Sequence, residues 1–467
     1  MSNQLALEKS NNIGPWIAFV RIFLGAYWLY EVAIGNNWKT GSFTSGPNPG
    51  WIGPEAGAVL IEEGHSGMEA GGWAWFGWIL ENFMYPQAAL WGYFAIAVQF
   101  ILAFAFLFGI FARPIALLGL GMDFFIFMIG NSRIPPFFSL GHLFVLATNA
   151  GIYYGVDAMI MDKVKDAKTA GAKLLKSIYT FDFVTPKIRR LLASIAAVLA
   201  VYYLLKIGVI ETEKIKLVSM DLAVLFGFIA YGLFVYREKM DKVALTVSLL
   251  RIWLGYRFMH EIFVRWKPAL NGLPGWGNGE QLTEVFKSIS EKHWGPFSTL
   301  VDALFIPMAD IWGIIFAIVQ TTVAIMLLLG IKTRLASKVG LAYLSLLIII
   351  GFTRYSPFVF GYLFAVLALD GGRMFSFDSM KKIEPKIGIR LSNKMVYILL
   401  TISLVSVIAA NIGGINPNGY QTSMGPVMAA MVSMLTALVG LSGAMQNGLL
   451  FWKKSNLQTT VGKQVNA

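Results

Sequence analysis

The chain repeats itself, and the repeat leaves little freedom of fold. Residues Leu90 to Phe137 align without a gap onto Ile311 to Phe358. Trp91, Gly92 and Gln99 match Trp312, Gly313 and Gln320. Gly109, Arg113, Gly119, Gly130, Arg133, Pro136 and Phe137 match Gly330, Arg334, Gly340, Gly351, Arg354, Pro357 and Phe358. Upstream, Arg21-Ile-Phe-Leu-Gly25 with Glu31, Trp38 and Lys39 answers Arg251-Ile-Trp-Leu-Gly255 with Glu261, Trp266 and Lys267. Apolar helices share composition by chance, but not Trp, Gln, Arg and Pro in register. The chain therefore reads as two homologous halves.

The repeated unit is a membrane unit. Of 467 residues 56% are hydrophobic, the mean hydropathy is +0.63, and apolar runs of roughly 20 residues recur, the length a helix needs to cross the hydrocarbon. Twelve spans are predicted, near 14–35, 87–111, 114–131, 138–158, 188–206 and 218–236 in the first half and 244–263, 309–331, 335–352, 357–372, 395–413 and 425–447 in the second. The last two spans of each half align poorly with each other. The organisation is thus a first bundle (1–158), a basic loop with a helix pair (159–242), a second bundle (243–372), and a second basic loop with a helix pair and tail (373–467).

Charge sets the orientation. The net charge of +12 is concentrated in loops such as Asp162 to Arg190 and Arg373 to Lys394, which all fall on one side if spans alternate. That side is expected to be cytoplasmic, with both termini on it, and the charge marks topology rather than a nucleic-acid partner. Met1 to Asn12 is polar and precedes an apolar run of full length, so the first run is expected to be a span rather than a cleaved signal. Six spans per half make the halves parallel. The long outer loops after the first helix of each half are rich in Trp and read as interfacial anchors or a docking surface for a partner. Absence of cysteine excludes disulfides, thiolate metal sites and iron–sulfur ligation in this chain.

A first helix with Arg-x-x-x-Gly, then a Trp-Lys pair, then a second helix ending in Leu, Gly and Arg resembles the DoxX/DoxD family. The residues are Arg21 to Gly25, Trp38-Lys39 and Leu107-Phe-Gly109-Ile-Phe-Ala-Arg113, and again Arg251 to Gly255, Trp266-Lys267 and Leu329-Gly330-Ile-Lys-Thr-Arg334. The resemblance implies a four-helix membrane bundle in each half. The fold expected is therefore an all-α polytopic membrane protein of two parallel DoxX-like bundles, each with an extra helix pair. The family's best-defined class is the large membrane subunit of thiosulfate:quinone oxidoreductase.

Polar residues inside apolar helices are costly and need a reason. Glu31 and Glu261 are candidate acid–base groups, with a structural hydrogen-bonding role as the alternative. Arg257, one turn before Glu261, allows an ion pair on one helix. Gln99 and Gln320 could orient a quinone carbonyl or bind helix to helix, and Trp38, Trp266 and His260 are further cofactor candidates. Lys39, Arg133, Arg257, Arg265, Lys267 and Arg354 form cationic, aromatic outer clusters that would attract a small oxyanion, or anchor the chain. The second half, with Arg257, His260, Glu261 and Arg265 clustered, is the first choice. Arg21 and Arg251 read as snorkelling to the cytoplasmic interface. His142 and His260 do not match across the halves; His142 faces Tyr362 once a one-residue gap is allowed. Neither haem nor metal is expected.

The leading expectation is a membrane subunit of a quinone-linked oxidoreductase in a prokaryotic cytoplasmic membrane, surrounded by membrane lipid. It would carry a ubiquinone or menaquinone site and an outer face for other subunits, with thiosulfate as the substrate the resemblance suggests. A secondary transporter of a small anion, or a structural anchor without chemistry, are the alternatives.

Overall fold

The computed structural model describes residues 2–34, 49–69, 71–130, 135–164, 166, 168–180, 185–209, 213–236, 240–266, 276, 279–353, 355–383, 387–412 and 424–450. The candidates Trp38, Lys39, Arg133, Lys267 and Arg354 lie outside these residues, and Arg265 and Trp266 are described by backbone alone. All regular structure among the described residues is helical. The chain divides into two compact units, 2–246 and 247–450 among the described residues.

In the first unit α1 (Ser2–Leu29) ends in a π-helical turn, Tyr30–Ile34. There follow α2 (Ala58–Glu69), α3 (Ala74–Ile79), α4 (Ala88–Phe108), α5 (Ala112–Ile129), α6 (Pro135–Thr148), α7 (Val156–Val164), α8 (Ala170–Thr180), α9 (Pro186–Val209) and α10 (Glu213–Val235). The second unit takes up within α11 (Lys242–Trp266) and continues with α12 (Glu280–Ser290), α13 (Gly295–Leu300), α14 (Ala309–Leu329), α15 (Thr333–Ile350), α16 (Ser356–Leu369), α17 (Phe377–Met380), α18 (Asn393–Ile412) and α19 (Met424–Gln446).

Among the described residues nine helices are long and apolar enough to cross a membrane, so the chain is an all-helical, multi-pass membrane protein. Two further apolar helices, α6 and α16, are shorter. The remaining predicted span, 244–263, coincides with α11, which carries Arg251, Arg257, Glu261 and Arg265 along its length.

The two units have the same skeleton at one constant offset. Helices α3, α4, α5 and α6 start at 74, 88, 112 and 135; α13, α14, α15 and α16 start at 295, 309, 333 and 356, each 221 residues later and each of equal length. The offset extends to π-helical turns, Leu80–Met84 and Val301–Phe305. It also extends to the left-handed residues Phe111 and Lys332, Asn149 and Asp370, and Tyr154 and Phe375.

The motif residues hold this skeleton through unpaired helix ends. Arg21 is fully buried, not snorkelling. Its guanidinium donates to the carbonyls of Phe106 (2.8 Å) and Leu107 (3.4 Å) at the end of α4, and to those of Tyr153 and Tyr154 (3.2 Å each). A cation there satisfies orphan carbonyls and meets the negative end of the helix dipole. Arg251 occupies the corresponding place and donates to Phe375 O (2.6 Å). Gly109 and Gly330 end α4 and α14 at φ +65, and a side chain on either would overlap that guanidinium. Arg113 and Arg334 donate to Leu146 O (2.9 Å) and Leu367 O (3.2 Å) near the ends of α6 and α16.

A remote carboxylate starts the next helix in each unit. Asp157 accepts from Phe111 N (2.7 Å) and Ala112 N (2.9 Å), and Asp378, 221 residues later, from Lys332 N (2.9 Å) and Thr333 N (2.8 Å). Asp157 also binds the hydroxyl of Tyr179 on α8. Burial first, and that carboxylate second, hold the Tyr179 phenol well above its ordinary range.

The divergent helix pairs dock at matched points. In the first unit Lys206 of α9 reaches Gly71 O (3.0 Å) and Tyr203 binds the Trp73 indole. In the second, Met424 N at the start of α19 donates to Lys292 O (2.8 Å), and Trp294 lies against Gly425. Lys292 and Trp294 are again 221 residues after Gly71 and Trp73.

Candidate functional site

In the first unit four side chains from three helices form a closed polar network inside an apolar bundle. Asp123 of α5 is 1% exposed and His142 of α6 is 0% exposed. His142 Nδ1 lies 2.7 Å from Asp123 Oδ2, and the Ser139 hydroxyl donates to the same oxygen at 2.9 Å. The Trp28 indole of α1 donates to His142 Nε2 at 3.1 Å. Gly119, one turn before Asp123, leaves the space that the imidazole fills; a Cβ there would clash with the ring. Phe106, Phe138 and Trp28 close around the ring at centroid distances of 5.5, 6.3 and 5.8 Å.

The donor inventory fixes the protons. An indole N–H can only donate, so Nε2 must accept. The neutral imidazole then carries its proton on Nδ1 and donates it to Asp123. Asp123 Oδ1 is buried and has no hydrogen-bond partner. The network thus holds one negative charge, or none after taking up one proton.

Glu31 and Gln99 lie together toward one end of this network. Helices α1 and α4 cross antiparallel, with Gly25 against Ala103 and Leu107, and Val32 in one cluster with Ile96 and Trp51. Glu31 is three residues beyond Trp28, about 4.5 Å along the helix, and Gln99 is seven before Phe106, about 10 Å toward the same end. Gln99 is 7% exposed and its Oε1 is buried without a partner. Glu31 is half-buried, at the π-helical turn that ends α1. Such turns widen a helix locally and recur at functional sites.

The second unit fills the same places differently. Gly340 opens onto Leu363, with Phe258 beside it, as Gly119 opens onto His142. The structural counterpart of His142 is therefore Leu363, with no gap, and not Tyr362. Asp123, Ser139 and Trp28 correspond to Leu344, Phe360 and Phe258. Gln320 donates to the Tyr343 hydroxyl at 2.6 Å, so its amide is engaged where that of Gln99 has a bare oxygen. Arg257 Nη2 lies 3.2 Å from Glu261 Oε1, the one-turn ion pair its spacing allows. His260 is buried and stacks on Tyr256 at 5.9 Å.

Of the sequence candidates described with side chains, Glu31 and Gln99 belong to the first unit and Arg257, His260, Glu261 and Gln320 to the second. Asp123 and Ser139 were not singled out from sequence, although a lone Asp in the predicted span 114–131 is a signal in itself. No protein-family model, curated protein or solved structure matches this chain.

Proposed function

We propose that this chain is the membrane subunit of a quinone-linked oxidoreductase, with its quinone site in the first unit. It would be built as two parallel DoxX-like four-helix bundles with an extra helix pair each. Twelve spans would cross a prokaryotic cytoplasmic membrane, with both termini in the cytoplasm. The outer face would receive the other subunits, and thiosulfate is the electron donor that the DoxX/DoxD resemblance suggests.

The observation that carries this reading is the bare, buried Oε1 of Gln99, one level away from a buried His–Asp pair in an apolar bundle. A quinol hydroxyl is a donor that Gln99 Oε1 lacks, and a quinone carbonyl is an acceptor for the other end of that amide. Quinone supplies the two-electron, two-proton exchange when bound. The chain's own residues do the rest. Gln99 orients the ring, Glu31 exchanges a proton at the outer end of α1, and the surrounding apolar side chains exclude water. The engaged amide of Gln320 offers less to a ligand than the bare oxygen of Gln99, which favours the first unit over the second.

The test is electron transfer to a soluble quinone analogue by the purified complex. Glu31→Gln and Gln99→Leu are expected to lower turnover at least tenfold, and Glu261→Gln and Gln320→Leu to leave it within about threefold. Full turnover in all four variants contradicts the assignment. Ion uptake by reconstituted vesicles, without quinone reduction, would favour a transporter instead.

A further inference from the structure

We propose that Asp123 and His142 form a one-proton site which, once protonated, presents His142 Nε2–H and the Trp28 indole N–H to a single acceptor oxygen. In the proton-poor state the network has no free donor. Trp28 is spent on Nε2, and Nδ1–H and the Ser139 hydroxyl are spent on Asp123 Oδ2. Adding one proton to Nε2 forms that N–H bond and breaks the indole hydrogen bond, because two donors cannot face each other. The imidazolium then lies against the Asp123 carboxylate, and the charge of the network goes from −1 to 0. A neutral pair is the cheaper state in an apolar interior. It also leaves two N–H groups, whose nitrogens start 3.1 Å apart, with nothing to bind. One oxygen can accept from both, and a carbonyl of an apolar ligand is the chemistry that fits.

The neighbouring charges leave this pair to itself. Arg21 on α1 and Arg113 on α5 are engaged with backbone carbonyls. Glu31 lies one turn beyond Trp28, Asp221 is buried on α10, and α4 carries no charged residue. Phenols also lie on these elements: Tyr27 on α1, Tyr30 in the π-helical turn after it, and Tyr153 and Tyr154 beyond α6. The second unit has Leu344, Leu363 and Phe258 in these places, so among the described residues it has no counterpart of this site.

The inference rests on the quinone reading only for the identity of the carbonyl, and the experiment separates the two. The full chain holds four histidines, few enough for nitrogen-15 histidine spectra in lipid nanodiscs, with His142→Gln identifying the resonances. At high pH His142 should be the Nδ1–H form. With an aryl ketone or a short-tailed benzoquinone present it should become doubly protonated on acidification, with the indole resonance of Trp28 shifting in step. Asp123→Asn should stay singly protonated and weaken ketone binding about tenfold or more. Trp28→Phe should keep proton uptake and lose part of the binding. If His142 is the Nε2–H form at high pH, or never takes a proton, the site is wrongly assigned. If it takes a proton but neither probe binds, the acceptor-oxygen claim is overturned. If the ketone binds as expected and no quinone is reduced, this site stands and the oxidoreductase reading falls.

Discussion

The two units share a backbone frame and differ in what the frame encloses. At the helix ends the pairs are Arg21 and Arg251, Asp157 and Asp378, Gly109 and Gly330, and each member makes the same kind of bond. In the interior, Asp123, His142 and Trp28 stand where the second unit has Leu344, Leu363 and Phe258. The difference teaches which residues answer to folding. Helix-end carbonyls and amides have no other partner in a membrane, so the groups that satisfy them cannot drift. An interior polar network adds little net stability compared with apolar packing, so it persists where it is used.

The largest expected effect concerns the frame. Arg21→Met strands four carbonyls and should destabilise by about 3 kcal/mol or more. Arg251→Met should cost less, because Arg251 Nη1 lacks the carbonyl partners that Arg21 Nη1 has. Thermal unfolding in detergent checks the order, and equal losses would break it. Next comes the interior. Giving the first unit the residues of the second, with Trp28→Phe, Asp123→Leu and His142→Leu together, should be neutral or raise stability by up to about 4 kcal/mol. A large loss would mean that the network is structural.

The amides sharpen the comparison at a smaller scale. Gln320→Leu should cost about 1 kcal/mol through its bond to Tyr343, whereas Gln99→Leu should cost nothing, because its oxygen has no partner to lose. The smallest effect is one of pH. In the second unit His293 accepts from Trp294 N (2.9 Å) and donates to Ile349 O (3.1 Å), and burial holds it below its ordinary value. Its folded state takes a proton less readily than its unfolded state. The stability it contributes is therefore present above the unfolded value of about 6.5 and lost as pH falls below it. Proteolysis near Trp294 should rise over that window and stay flat in His293→Gln.

The frame was legible in sequence because it is written twice. Arg21, Gly109 and Arg113 recur in register, and recurrence exposed them before any coordinate did. Their roles were less legible, since an Arg near a helix end looks the same whether it snorkels or binds carbonyls; only the burial of Arg21 separates the two. Repetition also misled. It drew attention to Glu31, Glu261, Gln99 and Gln320 because they match, and away from Asp123 because it does not. Asp123 and His142 are 19 residues apart on different helices, and no local pattern joins them. A gap introduced to give His142 a polar counterpart in Tyr362 hid the substitution by Leu363. Asp157 and Asp378 were missed for another reason: both lie beyond the aligned segment, Asp157 at the end of the predicted span 138–158 and Asp378 in the basic loop after 372.

The central claim is that the chain has one ligand site and that it lies in the first unit. Equilibrium binding of a short-tailed benzoquinone to the purified chain in nanodiscs tests this most directly, comparing the Trp28→Phe, Asp123→Leu, His142→Leu triple variant with a Gln320→Leu, Glu261→Gln double variant. The expected result is about one quinone per chain in the native protein and in the second-unit variant, and none in the folded first-unit variant. Binding that survives in the triple variant and disappears in the second-unit variant would contradict it.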